Sequence, residues 1–205
     1  MANEIRRFTA SDRLNHWLVV IAFFLAALSG LAFFHPALFG LTGLFGGGPQ
    51  TRVLHPYFGV AVAVLFLGML LRFGRHNLIN KNDRAWLCGI KDVLGNREEN
   101  VPPAGRFNAG QKLVFWLTFL SILTSLLTGI VFWRTYFEGR FSIETIRIAT
   151  LLHSVAAVVF LVVIIIHIYA GIWVKGTVRG MTLGTVARNW ARKHHLLWFR
   201  EVTKS

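Results

Sequence analysis

Four long stretches of the chain carry no charged side chain: about Leu14–Phe34, Val53–Leu71, Leu113–Trp133 and Ile148–Val174. A helix needs about 20 apolar residues to cross a bilayer, and each stretch is long enough. Strict alternation of apolar and polar positions is absent. Backbone facing lipid must satisfy its own hydrogen bonds, so these stretches read as helices. The pattern predicts an all-α fold: a four-transmembrane-helix bundle, with helices over 14–34, 53–73, 113–133 and 148–174. Residues 1–205 then form one integral-membrane domain, with a connection at 74–112 and a tail at 175–205.

Within the connection, Trp86, Leu87, Ile90, Val93 and Leu94 recur at helical spacing behind Asn82, a predicted N-cap. This predicts a short amphipathic helix at the membrane interface, and Met181–Trp190 in the tail predicts another. Pro56 reads as a first-turn residue of the second long helix. Gly40–Pro49 reads as a flexible loop, and no internal repeat is evident. Arg6, Arg7 and Arg13 before the first apolar run suggest a signal peptide, but the run is long for one, so it is read as an uncleaved first helix.

Charge then supplies orientation. The net charge of +13 on a chain that is only 15% charged could indicate a nucleic-acid partner. Its distribution points elsewhere. Of the 22 Lys and Arg residues, 18 lie in the N-terminal segment, the 74–112 region with Arg72, and the tail. The other four are Arg52, Arg134, Arg140 and Arg147. That asymmetry is the positive-inside pattern, with both termini and the long connection cytoplasmic. The excess charge meets anionic membrane lipids, and no nucleic acid is required.

Histidines interrupt the apolar stretches. His153 and His167 lie on the fourth helix, fourteen residues apart. That is roughly 21 Å along the axis and within about 40° of one face. A polar ring at membrane depth marks a functional site. The topology puts His16 at the cytoplasmic end of helix one, His55 at the outer end of helix two, His153 outer and His167 inner. The depth-matched pairs are His55 with His153 and His16 with His167. Each pair comes from two helices, as a haem ligated on both faces needs, so the four are predicted to hold the irons of two haems. Two axial imidazoles favour electron transfer over oxygen activation. Without CxxCH the haems are b-type, and the single Cys88 excludes a disulfide or an iron–sulfur cluster within the chain. Each histidine taken alone reads equally well as a packing residue; it is the two matched pairs that favour ligation.

Glycines 30, 59, 129 and 171 lie where a flat cofactor needs low side-chain relief, although close helix packing explains each one singly. Arg72, Arg75 and Lys175 on the inner side and Arg134 on the outer side are candidate propionate partners. His35 and His76 lack a depth-matched partner, and His194 and His195 in the basic tail read as solvated or partner-facing.

Several runs carry a family resemblance: Asn15-His16-Trp17, Leu54-His55-Pro56 with Phe58-Gly59, Asn108-Ala-Gly-Gln-Lys112, Leu152-His153, His167-Ile-Tyr169, and Trp173-Val-Lys-Gly176. Together with the Arg192–His195 and Trp198–Glu201 tail, they resemble the γ subunit of membrane-bound respiratory formate dehydrogenase, a dihaem cytochrome b. The resemblance spans about Phe8–Glu201; the chain departs from it in a shorter tail and a glycine-rich first loop. It implies an electron-transfer subunit of the bacterial inner membrane with no catalytic residue for formate. An α subunit with a molybdenum or tungsten pterin would oxidise formate outside. An iron–sulfur β subunit would deliver electrons to the outer haem, and αβγ would assemble as a trimer. The resemblance also implies that quinone, either menaquinone or ubiquinone, is reduced on the cytoplasmic side beside His167, with Asn108 and Gly110 lining the pocket. Asn108 reads equally well as a helix cap. Two other readings stay open: a cytochrome b subunit of a hydrogenase or other quinone-linked oxidoreductase, and a haem-free membrane anchor.

Overall fold

A computed structural model describes residues 4–95, 97 and 100–204. Residues 96, 98 and 99 of the predicted 74–112 connection lie outside the described residues. Four long apolar helices dominate: α1 (Ala10–Phe34), α2 (Gly48–Phe73), α5 (Ala109–Val131) and α7 (Ile143–Trp173). Shorter helices are α3 (Lys81–Cys88), α4 (Ile90–Leu94), α6 (Arg134–Phe137), α8 (Thr177–Thr182), α9 (Arg188–His194) and α10 (Leu196–Lys204). Two three-residue strands, β1 (Glu4–Arg6) and β2 (Thr185–Ala187), pair antiparallel with Ile5 opposite Val186. The four long helices have the length and composition to cross a membrane, and only 11% to 22% of each apolar window is buried within the protein. The remaining apolar surface, including Ile21, Leu67, Leu127 and Ile165, faces outward, as a lipid-solvated helix requires.

The long helices begin before the uncharged runs because polar residues cap them. Thr9 Oγ1 accepts from the Asp12 amide at 3.1 Å while Asp12 Oδ2 accepts from the Thr9 amide at 2.9 Å, which starts α1. Asn108 and Gln111 make the same reciprocal pair at the start of α5, at 2.9 and 3.0 Å. Ser142 Oγ accepts from the Thr145 amide at 3.2 Å ahead of α7. The cap of α3 is Asn80 rather than Asn82: its side chain accepts from the amides of Asn82 and Asp83, and Asp83 returns the bond to the Asn80 amide.

The stretch read as a flexible loop is mostly ordered as a 3₁₀ segment, Pro36–Phe45, capped by His35 Nδ1 accepting from the Ala37 amide at 3.2 Å. Gly46 and Gly47 then take φ of 86° and 94°, a turn in which side chains are disfavoured. Because α2 starts at Gly48, Pro56 sits inside the helix rather than in its first turn. There it withholds a backbone donor from the carbonyl of residue 52.

The chain divides into two compact units. One comprises Asn15–Met69 and Leu117–Ile165, segments of all four long helices. Phe23 against Phe160 joins α1 to α7, and Phe66 stacked on Phe119 joins α2 to α5. The other comprises the residues up to Leu14, Leu70–Trp116 and Ile166 onward. Among its described residues are two small cores: Val186, Trp190, Ala191 and Trp198; and Trp86, Val101 and Ala109 with Val93. The predicted amphipathic helix is thus broken at Gly89 into α3 and α4, with Trp86 buried and Leu87, Ile90 and Leu94 exposed.

Candidate functional site

In the bundle unit, His55 on α2 and His153 on α7 face each other, with ring centroids 6.2 Å apart and ring planes at 73°. An imidazole nitrogen binds a first-row metal at about 2 Å and lies about 1 Å from its own ring centre, so two rings on opposite sides of one ion have centroids about 6 Å apart. The observed spacing fits that arrangement. Zinc or a di-iron centre fits poorly, since no group of three or more His, Cys, Asp or Glu able to hold a metal occurs among the described residues.

Each ring is held by a neighbouring helix in the same way. Ser29 Oγ on α1 is 2.9 Å from His55 Nδ1, and Thr128 Oγ1 on α5 is 3.1 Å from His153 Nδ1. The next residue is glycine in both cases. A Cβ on Gly30 would come within 3.0 Å of His55 Cε1, and one on Gly129 within 3.4 Å of His153 Cε1. These glycines therefore allow close approach of the imidazoles. A Cβ on Gly59 or Gly171 would meet nothing within 4 Å. Phe132 adds an edge contact to His153, with centroids 5.1 Å apart.

Sequence reasoning missed Ser29 and Thr128. A readable signal exists: Leu28-Ser29-Gly30 precedes Leu54-His55, and Leu127-Thr128-Gly129 precedes Leu152-His153. The hydroxyl residues and their histidines are 26 and 25 positions apart. The chain thus holds a short repeated device, although no repeat is evident along its full length.

His16 belongs to the bundle unit, on α1 beside Trp17, and His167 to the other unit, on an exposed turn of α7. That second unit contains a cavity of about 260 Å³ lined by Arg75, His76, Asp83, Trp86, Asn108 and Lys112, among others. Asn108 uses its Oδ1 in the α5 cap. Gly110 lies against Trp86, whose ring would be 3.4 Å from an added Cβ. Lys112 forms a buried ion pair with Asp83 at 2.8 Å and also donates to the Leu78 carbonyl at 3.0 Å.

The tail histidine His195, read from sequence as solvated or partner-facing, is 1% exposed. Its Nδ1 lies 2.8 Å from the Gly105 carbonyl and so must donate, leaving Nε2 to accept from Arg7 Nη2 at 3.2 Å. Burial first, and then the Arg7 charge, push its pKa down to about 3. Arg7 sits among aromatic rings, with Cζ 4.7 Å from the Trp198 centroid and 5.0 Å from that of Trp190. Burial, and then repulsion by Arg106, lower its pKa to about 9.

Comparison with known proteins gives this arrangement a family. A model described as prokaryotic cytochrome b561 matches residues 7–184. The nitrate-inducible formate dehydrogenase cytochrome b556(Fdn) subunit of Escherichia coli (strain K12) is 45% identical over 194 residues, covering 95% of this chain and 89% of the relative. The formate dehydrogenase cytochrome b556(fdo) subunit of the same strain is 45% identical over 203 residues, covering 99% and 95%. The formate dehydrogenase cytochrome b556 subunit of Haemophilus influenzae is 41% identical over 207 residues, covering 100% and 87%. With two imidazoles facing each other inside a bundle of apolar helices, and a family match running through nearly all of that bundle, the chain belongs to the prokaryotic cytochrome b561 family.

Proposed function

We propose that the chain works as the membrane electron-transfer subunit of a formate dehydrogenase, with His55 and His153 holding an outer haem b and His16 and His167 an inner one. The cytochrome b role in that complex follows from near-full-length identity to formate dehydrogenase cytochrome b556 subunits. The observation that carries the ligand assignment is the facing pair of imidazoles on α2 and α7. Haem b, held by His55 with His153 and by His16 with His167, would supply a one-electron carrier, and two imidazole ligands per iron would leave no place for dioxygen.

The residues of the chain supply the rest. The histidines orient the cofactors, and the apolar helices keep water from them. On this reading, electrons arrive at the outer face from an iron–sulfur β subunit, and formate chemistry resides on a pterin-bearing α subunit. A quinone is reduced at the cytoplasmic end. The cavity beside Asn108 supports that placement, because its lining combines polar groups with the Trp86 ring. The helix cap uses Asn108 Oδ1, and the Nδ2 of the same side chain would donate to a quinone carbonyl. The complex lies in the bacterial inner membrane with both termini of this chain cytoplasmic, and αβγ units assemble as trimers.

The test is a reduced-minus-oxidised spectrum of the purified complex, reduced first by formate and then by dithionite, with haem counted per chain. Two b haems reduced by formate and reoxidised by a quinone are expected. His55→Ala and His153→Ala should each lose the same haem. Two haems reducible by dithionite alone would move the electron donor to another oxidoreductase. Absence of haem would return the histidines to packing.

A further inference from the structure

The two hydroxyls at the paired imidazoles are both buried: Ser29 is 0% exposed and Thr128 9%. A hydroxyl has one proton to give and two lone pairs to offer. Ser29 Oγ lies 2.7 Å from the Leu25 carbonyl oxygen, with the Ala26 carbonyl at 3.1 Å. Thr128 Oγ1 lies 2.6 Å from the Thr124 carbonyl oxygen, with the Ser125 carbonyl at 3.3 Å. Two oxygens that close repel unless a hydrogen lies between them, and a carbonyl has none to give. Each hydroxyl proton is therefore committed to its own helix, and towards the histidine each oxygen can only accept.

It follows that His55 Nδ1 and His153 Nδ1 are the donors, across 2.9 and 3.1 Å. A neutral imidazole protonated at Nδ1 has its lone pair at Nε2, the form a metal ligand needs. The opposite tautomer would turn each hydroxyl away from its carbonyl and leave an unbridged short oxygen–oxygen contact at both sites. We infer that Ser29 and Thr128 are positioning residues which fix the tautomer of His55 and His153, so that each presents a bare Nε2 as ligand. The device is built twice from separate helices, which argues against a chance contact at either site. Hydrogen bonding at Nδ1 also makes Nε2 a stronger electron donor. That favours the oxidised metal and lowers the reduction potential of whatever the pair holds.

This inference rests on the haem reading above, and its test separates the two. Redox titrations of the purified complex would follow each haem band for the parent chain, Ser29→Ala, Thr128→Val and the double variant. Ser29→Thr and Thr128→Ser keep the hydroxyl. The expected result is two haems per chain throughout, with one midpoint shifted upward in the double variant by about tenfold in the ratio of reduced to oxidised haem, or 59 mV for a one-electron couple. The hydroxyl-keeping variants should titrate with the parent. Loss of haem in Ser29→Ala that is restored in Ser29→Thr would also support the assignment. Unmoved midpoints in a fully haem-loaded double variant would overturn it, as would equal effects of Ser29→Ala and Ser29→Thr. A parent complex without haem would overturn the underlying reading and this inference with it.

Discussion

Replacing Lys112 with Met removes half of a buried ion pair while keeping most of the side-chain volume. Both charges are well covered: the side chains of Lys112 and Asp83 are 6% and 10% exposed. The described surface pairs differ; in Arg97–Asp92, for example, the arginine side chain is 57% exposed, and such pairs contribute about 1 kcal/mol or less. In Lys112→Met, Asp83 Oδ2 keeps only the Asn80 amide, at 2.6 Å, to offset its desolvation. Breaking a buried pair from one side costs about 3–5 kcal/mol, because the remaining charge stays buried. At about 2–4 °C per kcal/mol for a chain of this size, the thermal midpoint should fall on the order of 10 °C. Asp83→Asn should cost less, since an amide can still accept from Lys112 and from the Asn80 backbone. The assay is thermal unfolding of the detergent-solubilised complex, followed by near-ultraviolet circular dichroism, on both single variants and the double. The singles should fail to add by about 2 kcal/mol, with the double variant less damaged than their sum. A Lys112→Met midpoint within 2 °C of the parent, or strict additivity, would show that water screens this pair and would refute the reasoning.

Two further outcomes follow from the same unit. His195 is held neutral in the fold with a pKa of about 3 against an ordinary 6.5, so below about pH 6.5 the unfolded chain takes up a proton that the folded chain refuses. Stability is then complete above that pH and falls as pH drops, by about 2 kcal/mol at pH 5; His195→Gln, which can still donate to Gly105 and accept from Arg7, should flatten that part of a thermal-midpoint-against-pH curve, and an unchanged curve would rule His195 out. Cys88 is exposed and is the one cysteine of the chain, so a membrane-impermeant maleimide should label it in inverted vesicles and spare it in intact spheroplasts; the reverse pattern would invert the proposed topology.

The long helices were legible because a hydrophobic run of membrane length is a local property, read without knowing what packs where. The nearness of His55 and His153 followed from topology, since alternating crossings leave few partners at each depth. What stayed hidden was polar and long-range. Arg7 reaches Arg106 across 99 positions and His195 across 188, and no periodicity encodes such contacts. His195 looked solvated because it stands in a basic run, yet Trp190 and Trp198 flank it, at 5.2 and 6.5 Å between ring centroids, and take it inward. Asn80 was passed over for Asn82 because both have capping chemistry, and only backbone conformation separates them: Asn80 is extended, at φ −125° and ψ 173°. Ser29 and Thr128 sit within helices, where a hydroxyl ordinarily only back-bonds to its own turn. Their second role appears only when the facing helix is in place.

Sidedness rests on two arguments of different kinds. On the proposed four-span topology, the contacts bear on which segments share a side. β1 pairs with β2, so the N-terminal segment and the tail meet. Arg7 donates to the Arg106 carbonyl, and the Leu197 amide donates to the Ala104 carbonyl, so the 74–112 connection joins them. Three segments separated by membrane crossings can make these bonds only if the crossings between them are even in number. With crossings in both gaps, each gap needs an even number, which four spans supply and three cannot. Which side they share is a matter of charge: 18 of 22 basic residues belong to those three segments once Arg72, at the edge of the connection, is counted with them. A few surface substitutions change the charge balance, whereas the contacts among these segments do not depend on net charge. The buried cations tie the two together. Arg7 and Lys112 are each about 5% exposed and held by aromatic rings, carbonyls and Asp83. Part of the charge that orients the chain is therefore also internal structure. Deleting it should disturb the fold of this unit before it disturbs the topology.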